Sequence, residues 1–186
     1  VGHSSAAGVT GAGNVVLGHA TASALTSGAN NFIAGAGACN TLSGQISNSI
    51  YVGTNSGLSS DASNAVAIGS GTMTTSGGSA SVAIGYQAGA TSTGSSNNVL
   101  VGYQAGNDCT NMSSSVVIGS TAAAATSGVS TAVIIGAAAG GGNLSQNVAI
   151  GYNALAPGAV AGKPNIAIGY QALSNRLAND TNIAIG

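Results

Sequence analysis

One five-residue phrase governs this chain. It recurs as NVVLG, NFIAG, SIYVG, AVAIG, SVAIG, NVLVG, SVVIG, AVIIG, NVAIG, NIAIG and NIAIG. The glycines that close it are Gly18, Gly35, Gly53, Gly69, Gly85, Gly102, Gly119, Gly136, Gly151, Gly169 and Gly186, and Gly2 in the opening VG reads as one more. Neighbours in this series stand 15 to 18 residues apart, with Gly136 to Gly151 the shortest step and Gly35 to Gly53 among the longest. A period of this size is the mark of a solenoid, in which each unit is too small to bury its own apolar face and becomes stable by stacking on its neighbours. No shift of composition interrupts the series, so residues 1–186 read as a single repeat solenoid of about eleven to twelve coils, roughly 17 residues each.

The local chemistry says what each coil contains. The phrase is rich in Val and Ile, whose branched side chains suit a pleated strand and crowd a helix. Between phrases lie stretches such as TSGAN and TSTGSSNN. These are turn formers: Gly supplies positive φ, and Asn and Ser bond their own backbone. The expected fold is therefore all-β, a parallel β-solenoid with a short strand, a glycine corner and polar turns in every coil. Stacked at about 4.8 Å per coil it makes a rod on the order of 55 Å long, with almost no helix.

Composition narrows the function. Of 186 residues only 3% are charged: Lys163, Arg176, Asp61, Asp108 and Asp180. Nucleic acid is not an expected partner, because phosphate recognition needs basic clusters that release counterions. Anionic membrane surfaces are disfavoured on the same ground. The apolar runs are only a few residues long, against the ~18 needed for a membrane-crossing helix, and no membrane insertion is expected of this segment. Cys39 and Cys109 have neither CxxC spacing nor a nearby His pair, which leaves no zinc motif. They fall in repeats four apart, roughly 19 Å along the axis and beyond the ~7 Å reach of a disulfide, so they are expected to be unbonded to each other.

Strand periodicity divides the apolar residues into two faces. The positions three and one before each glycine, such as Val82 and Ile84, are expected to stack as the inner core. The position between them holds Val16, Ile33, Tyr51, Ala67, Ala83, Leu100, Val117, Ile134, Ala149, Ala167 and Ala184. These are expected to face outward as an inter-chain interface, since a continuous apolar stripe along a rod marks a contact surface.

The residues just after the glycines include His3, His19, Tyr86, Tyr103, Tyr152 and Tyr170. Coil-to-coil spacing makes His3 with His19, Tyr86 with Tyr103 and Tyr152 with Tyr170 short aromatic ladders. No metal is expected at the histidines, because no third ligand lies near them in sequence. No catalytic group is expected either: the chain has no Glu, its Asp are scattered among turns, and neither a paired acid and base nor a complete nucleophile–His–carboxylate triad can be assembled from these residues within one chain. No phosphate-cradling GxxxxGKS and no GGxGxD calcium repeat is present, so no cofactor is expected.

At these phrases the chain resembles the head repeats of trimeric autotransporter adhesins, through SVAIG at Ser81 to Gly85, AVAIG at Ala65 to Gly69 and NIAIG at Asn165 to Gly169. It is similar too to the stalk repeats of bacteriophage tail fibres, through GYQAG at Gly85 to Gly89 and Gly102 to Gly106 and GYQAL at Gly169 to Leu173. The resemblance implies a left-handed parallel β-roll in which three identical chains pack around one axis. It also implies an extracellular place, on a virion fibre or a bacterial cell surface, as one segment of a longer fibre that presents a binding region to a host receptor or glycan. The alternative class is a repeat ligand-binding module for a glycan or an ice surface. Ice binding calls for Thr-x-Thr in nearly every coil, and here it stands only at Thr72-Met-Thr74 and Thr91-Ser-Thr93.

Overall fold

Each phrase folds into one three-residue strand. The computed structural model describes residues 2–6, 8–41, 45–75, 78–156, 164–175 and 181–186. Its strands are β1 (Val15–Leu17), β2 (Phe32–Ala34), β3 (Ile50–Val52), β4 (Val66–Ile68), β5 (Val82–Ile84), β6 (Val99–Val101), β7 (Val116–Ile118), β8 (Val133–Ile135), β9 (Val148–Ile150), β10 (Ile166–Ile168) and β11 (Ile183–Ile185). They form one parallel sheet in sequence order. Every register step equals a repeat: Phe32 pairs with Ile50, Val82 with Val99 and Val133 with Val148. The expected β-solenoid of roughly 17 residues per turn is what forms. In three consecutive coils a second column of parallel bridges joins Thr93 to Thr110 to Ser127 and Ser96 to Ser113 to Ser130.

The glycine corner follows from sterics. Gly102 has φ 138°, and a Cβ there would stand 2.5 Å from the carbonyl oxygen of Gly119 in the next coil. The backbones of successive coils touch at this point, so a side chain is excluded twice over, by conformation and by space. The next residues make a tight turn: the Ala105 N–H donates to the Gly102 carbonyl at 3.4 Å, and Gln104, third in the turn, has φ 52°. A positive φ at that place is the type II signature. The turn throws Tyr103 outward at its corner, while Ala105 is buried at 0% exposure.

The strand faces are the reverse of the sequence expectation. Ile33, Tyr51, Ala67, Ala83, Leu100, Val117, Ile134, Ala149 and Ala167 are buried in the chain's own core, and Val16 and Ala184 of the terminal strands pack half-buried against it. None of these residues is available to another chain as the expected interface. The flanking rows, expected inside, face outward instead: Val15, Phe32, Ile50, Ile68, Ile84 and Ile118 are each 36% to 47% exposed. The physical reason is width. A coil of about 17 residues encloses a narrow interior, and one strand position per coil, together with the turn residues opposite, fills it.

That filling is volume-matched. The strand centre and the residue six places later meet across the core, and in several coils large faces small, while at β5, where Ala83 faces Gly89, Leu100 of the next coil reaches over to fill the space. A Cβ on Gly57 would run into the Tyr51 ring, one on Gly106 would stand 3.0 Å from Leu100 Cδ2, and one on Gly140 would stand 3.0 Å from Ile134 Cγ2. At the small strand centres Ala67 and Ala149 the partners six residues on are Met73 and Leu155, both buried. Among the strand-centre residues Tyr51 is the one that carries a polar group, and its hydroxyl donates to the Ala62 carbonyl at 2.7 Å.

A buried polar ladder supports the strand starts. The residue heading each phrase is Asn, Ser or Ala, and Asn31, Ser49, Ser81, Asn98, Ser115, Asn147 and Asn165 are all at most 3% exposed. Each side-chain oxygen accepts the backbone N–H of its counterpart one coil on: Asn98 N–H donates to Ser81 Oγ at 3.1 Å, and Ser115 N–H to Asn98 Oδ1 at 3.0 Å. The Asn98 amide also donates to the Met112 carbonyl at 3.1 Å. Replacing one such side chain leaves a buried N–H without its acceptor, at a cost of about 1–3 kcal/mol. Asn98→Ala is expected to lower the thermal midpoint by several degrees, on the scale of ~2–4 °C per kcal/mol for a chain of this size. Asn98→Ser, which keeps an oxygen of the kind the neighbouring coils use, is expected to lose less. Equal losses in paired melting curves would mean that packing, not the acceptor, matters at this position.

Candidate functional site

The surface with the strongest claim to function is the outward face of the sheet. Strands β1 to β11 each present two apolar side chains on this face, branched aliphatics in ten strands and Phe32 with Ala34 in β2, and they stack from coil to coil. Stacking covers part of each side chain, yet Val15, Phe32, Ile68, Ile118 and Ile185 among them stay 36% to 75% exposed, an apolar stripe that runs the length of the sheet. Apolar patches beyond ~300–600 Å² are uncommon on monomers. A stable interface needs ~800 Å² from each partner. Neither charge nor a proline blunts this face, which is flat and repetitive.

One rim carries the aromatic residues. Tyr86 and Tyr103 stack at 5.4 Å between centroids with planes 15° apart, as do Tyr152 and Tyr170, and His3 stacks on His19 at 5.8 Å. The pairs expected from the coil spacing are thus formed. The four tyrosines are 48% to 69% exposed, and beside them the Gln104 side-chain amide donates to Gln87 Oε1 at 2.8 Å. On the opposite rim the amides of Asn30, Asn48 and Asn64 are linked in series at 3.3 Å per step. Asn30 and Asn48 border a shallow groove floored by Phe32 and Ile50.

The titratable groups do not gather. Among the described residues no three of His, Cys, Asp and Glu lie together as a metal site would require. Asp61 and Asp108 sit exposed on turns of coils that are not adjacent, and Lys163, Arg176 and Asp180 lie outside the described residues. Among the described residues no helix is long and apolar enough to cross a membrane. Thr72 is buried, so the Thr72-Met-Thr74 pair does not present two outward hydroxyls.

Cys39 and Cys109 are free and buried, as expected from the repeat spacing. Burial pushes the Cys39 thiol well above the ordinary range and raises the Cys109 thiol, where a hydrogen bond with Thr126 opposes the shift. Burial likewise raises the Tyr51 hydroxyl. A raised folded-state value means that the neutral form is the folded form, so the associated stability is complete below the unfolded value and is lost as pH rises above it. Stability is therefore expected to fall above about pH 9, by up to ~1.4 kcal/mol per pH unit for each group, once thiols of the unfolded chain ionise. Ellman's reagent should find no thiol in the folded chain and both after denaturation. Prompt native reactivity at either position would contradict the burial.

Comparison with protein-family models, with curated proteins and with solved structures returned no match. The functional reading therefore rests on the repeat and on the surfaces described above.

Proposed function

We propose that this chain is a structural segment of an extracellular adhesive fibre, a non-catalytic shaft or head on a virion or a bacterial surface that holds a receptor-binding region away from its base. The observation that carries the proposal is the uninterrupted apolar face of the solenoid. A rod that leaves this much aliphatic surface open in water is stabilised by closing it against copies of itself, and closed cyclic packing removes the hazard of open-ended sticking. The likeness to adhesin-head and tail-fibre repeats supports a parallel homotrimer of left-handed β-rolls, with the face directed at the threefold axis. Host receptor or glycan contact belongs, on this reading, to the fibre of which the segment is part.

Sedimentation velocity on the isolated segment tests this directly. The wild type is expected to sediment at three times its monomer mass. Ile118→Asp, which places a charge on the outward row, should shift it to monomer with an unchanged circular dichroism spectrum. A wild type that stays monomeric at tens of micromolar would sink the proposal.

A second reading, a glycan-binding module, draws on the exposed Tyr86–Tyr103 and Tyr152–Tyr170 stacks, since aromatic rings flanked by amides suit sugar recognition. Its test is a glycan array on which Tyr103→Ala should lose a wild-type signal. No signal from the wild type would dismiss it.

A further inference from the structure

The outward face departs from its own pattern in one strand. Ten strands pair Val, Ile or Leu on the two outward positions, whereas β2 pairs Phe32 with Ala34, the one aromatic residue and the one alanine on either row. The largest and the smallest side chains thus stand at the same height, and their combined volume stays near that of a Val–Ile strand such as β4. In the core, the same compensation joins residues that touch: Tyr51 lies against Gly57, whose missing Cβ makes room for the ring. Volume matching is the signature of a packing contact, because overpacking and voids are both unfavourable in a close-packed interior.

Outside, this chain supplies no such contact. Phe32 is 41% exposed and Ala34 is half-buried, side by side on one strand and pointing the same way. We infer that the compensating contact is made between copies: Phe32 of one chain seats over Ala34 of the next, and this pair sets the parallel, in-register alignment of the assembly. The inference rests on the self-association proposed above. Cyclic packing about an axis along the rod brings each coil against the same coil of its neighbour, first row against second. Only then does the one large residue meet the one small one. An antiparallel pair would bring Phe32 towards the far end of the rod, where β10 offers Ile166 and Ile168. A slip by one coil would press Phe32 on Leu17 or Val52 and leave a void at Ala34. The Val–Ile strands resist such a slip weakly, since their neighbours look alike, and register is poorly specified where a pattern is uniform.

The test is a swap. Sedimentation velocity is run on the wild type, Phe32→Ala, Ala34→Phe and the double variant Phe32→Ala/Ala34→Phe, each checked by circular dichroism for a folded coil. The single variants are expected to associate about tenfold more weakly, by a void and by a clash respectively, and the double variant to recover most of that loss. An associating wild type whose double variant does no better than the worse single would overturn the register inference and leave self-association standing. A monomeric wild type would overturn both. A second measurement uses the pair Phe32→Cys/Ala34→Cys, oxidised and run on a non-reducing gel. Cross-linked multimers are expected, with the buried Cys39 and Cys109 taking no part, and exclusively monomeric product from an associated sample would rule out the contact.

Discussion

Gly102→Ala is expected to break the solenoid near its middle. The new methyl would meet the Gly119 carbonyl oxygen at 2.5 Å, at a backbone φ of 138° that L side chains do not adopt. Neither partner can move without opening the stack, because both are backbone and both belong to coils held on each side. Strain of this kind costs on the order of 3 kcal/mol or more at one residue. Gly94→Ala is the matched control. Gly94 has φ 65°, and its Cβ would find nothing nearer than Asn111 Oδ1 at 3.6 Å, so only the conformational cost remains, about 1 kcal/mol. Limited proteolysis separates the two outcomes: Gly102→Ala should be cleaved rapidly within the coils flanking residue 102, and Gly94→Ala slowly if at all. Similar resistance in both would mean that the corner tolerates a side chain and that the coil contact is looser than described.

The second large effect decides which strand face is which. Ile134 is fully buried in the chain's own interior, whereas Ile118 on the preceding strand is 36% exposed. Ile134→Asp therefore puts an unpaired carboxylate into an apolar core and is expected to unfold the chain at neutral pH, since core burial of a charge exceeds the ~4–5 kcal/mol at which single substitutions become exceptional. Ile118→Asp should leave the coil intact and act only on association. Circular dichroism reads the first effect and sedimentation the second. If Ile134→Asp merely dissociated a folded monomer, the strand centres would be the interface and the described core would be inverted.

That inversion is where sequence reasoning and structure part. The spacing of Gly18 to Gly186 gave the repeat directly, because every ladder step, Val82 to Val99 for instance, is the glycine spacing read as hydrogen-bond register. The stacked tyrosines and the separated cysteines followed from the same period. Period two, however, only says that a strand has two faces. With apolar residues at three successive positions, as in Val99-Leu100-Val101, it does not say which face is inside. The deciding signal was present six residues away. Tyr51 with Gly57, Ala67 with Met73 and Ile134 with Gly140 alternate large and small across the core, while the outward rows show no such partner within the chain. The buried ladder was equally visible as the Asn or Ser heading most phrases. Its role was missed because those residue types also belong in turns, and only the coil-to-coil pairing shows them serving as acceptors inside.

Each coil of this rod touches only the coils beside it, and the register carries no lateral offset from one end of the sheet to the other. Length is therefore a free variable of the architecture. Excising residues 86–102 would join Gly85 to Tyr103, the same junction in the same phase, and leave a rod shorter by one step of about 4.8 Å. Duplication would lengthen it by as much. A chain built this way is a ruler whose graduations are repeats, and its reach changes by whole coils while the phase of the backbone ladder is kept.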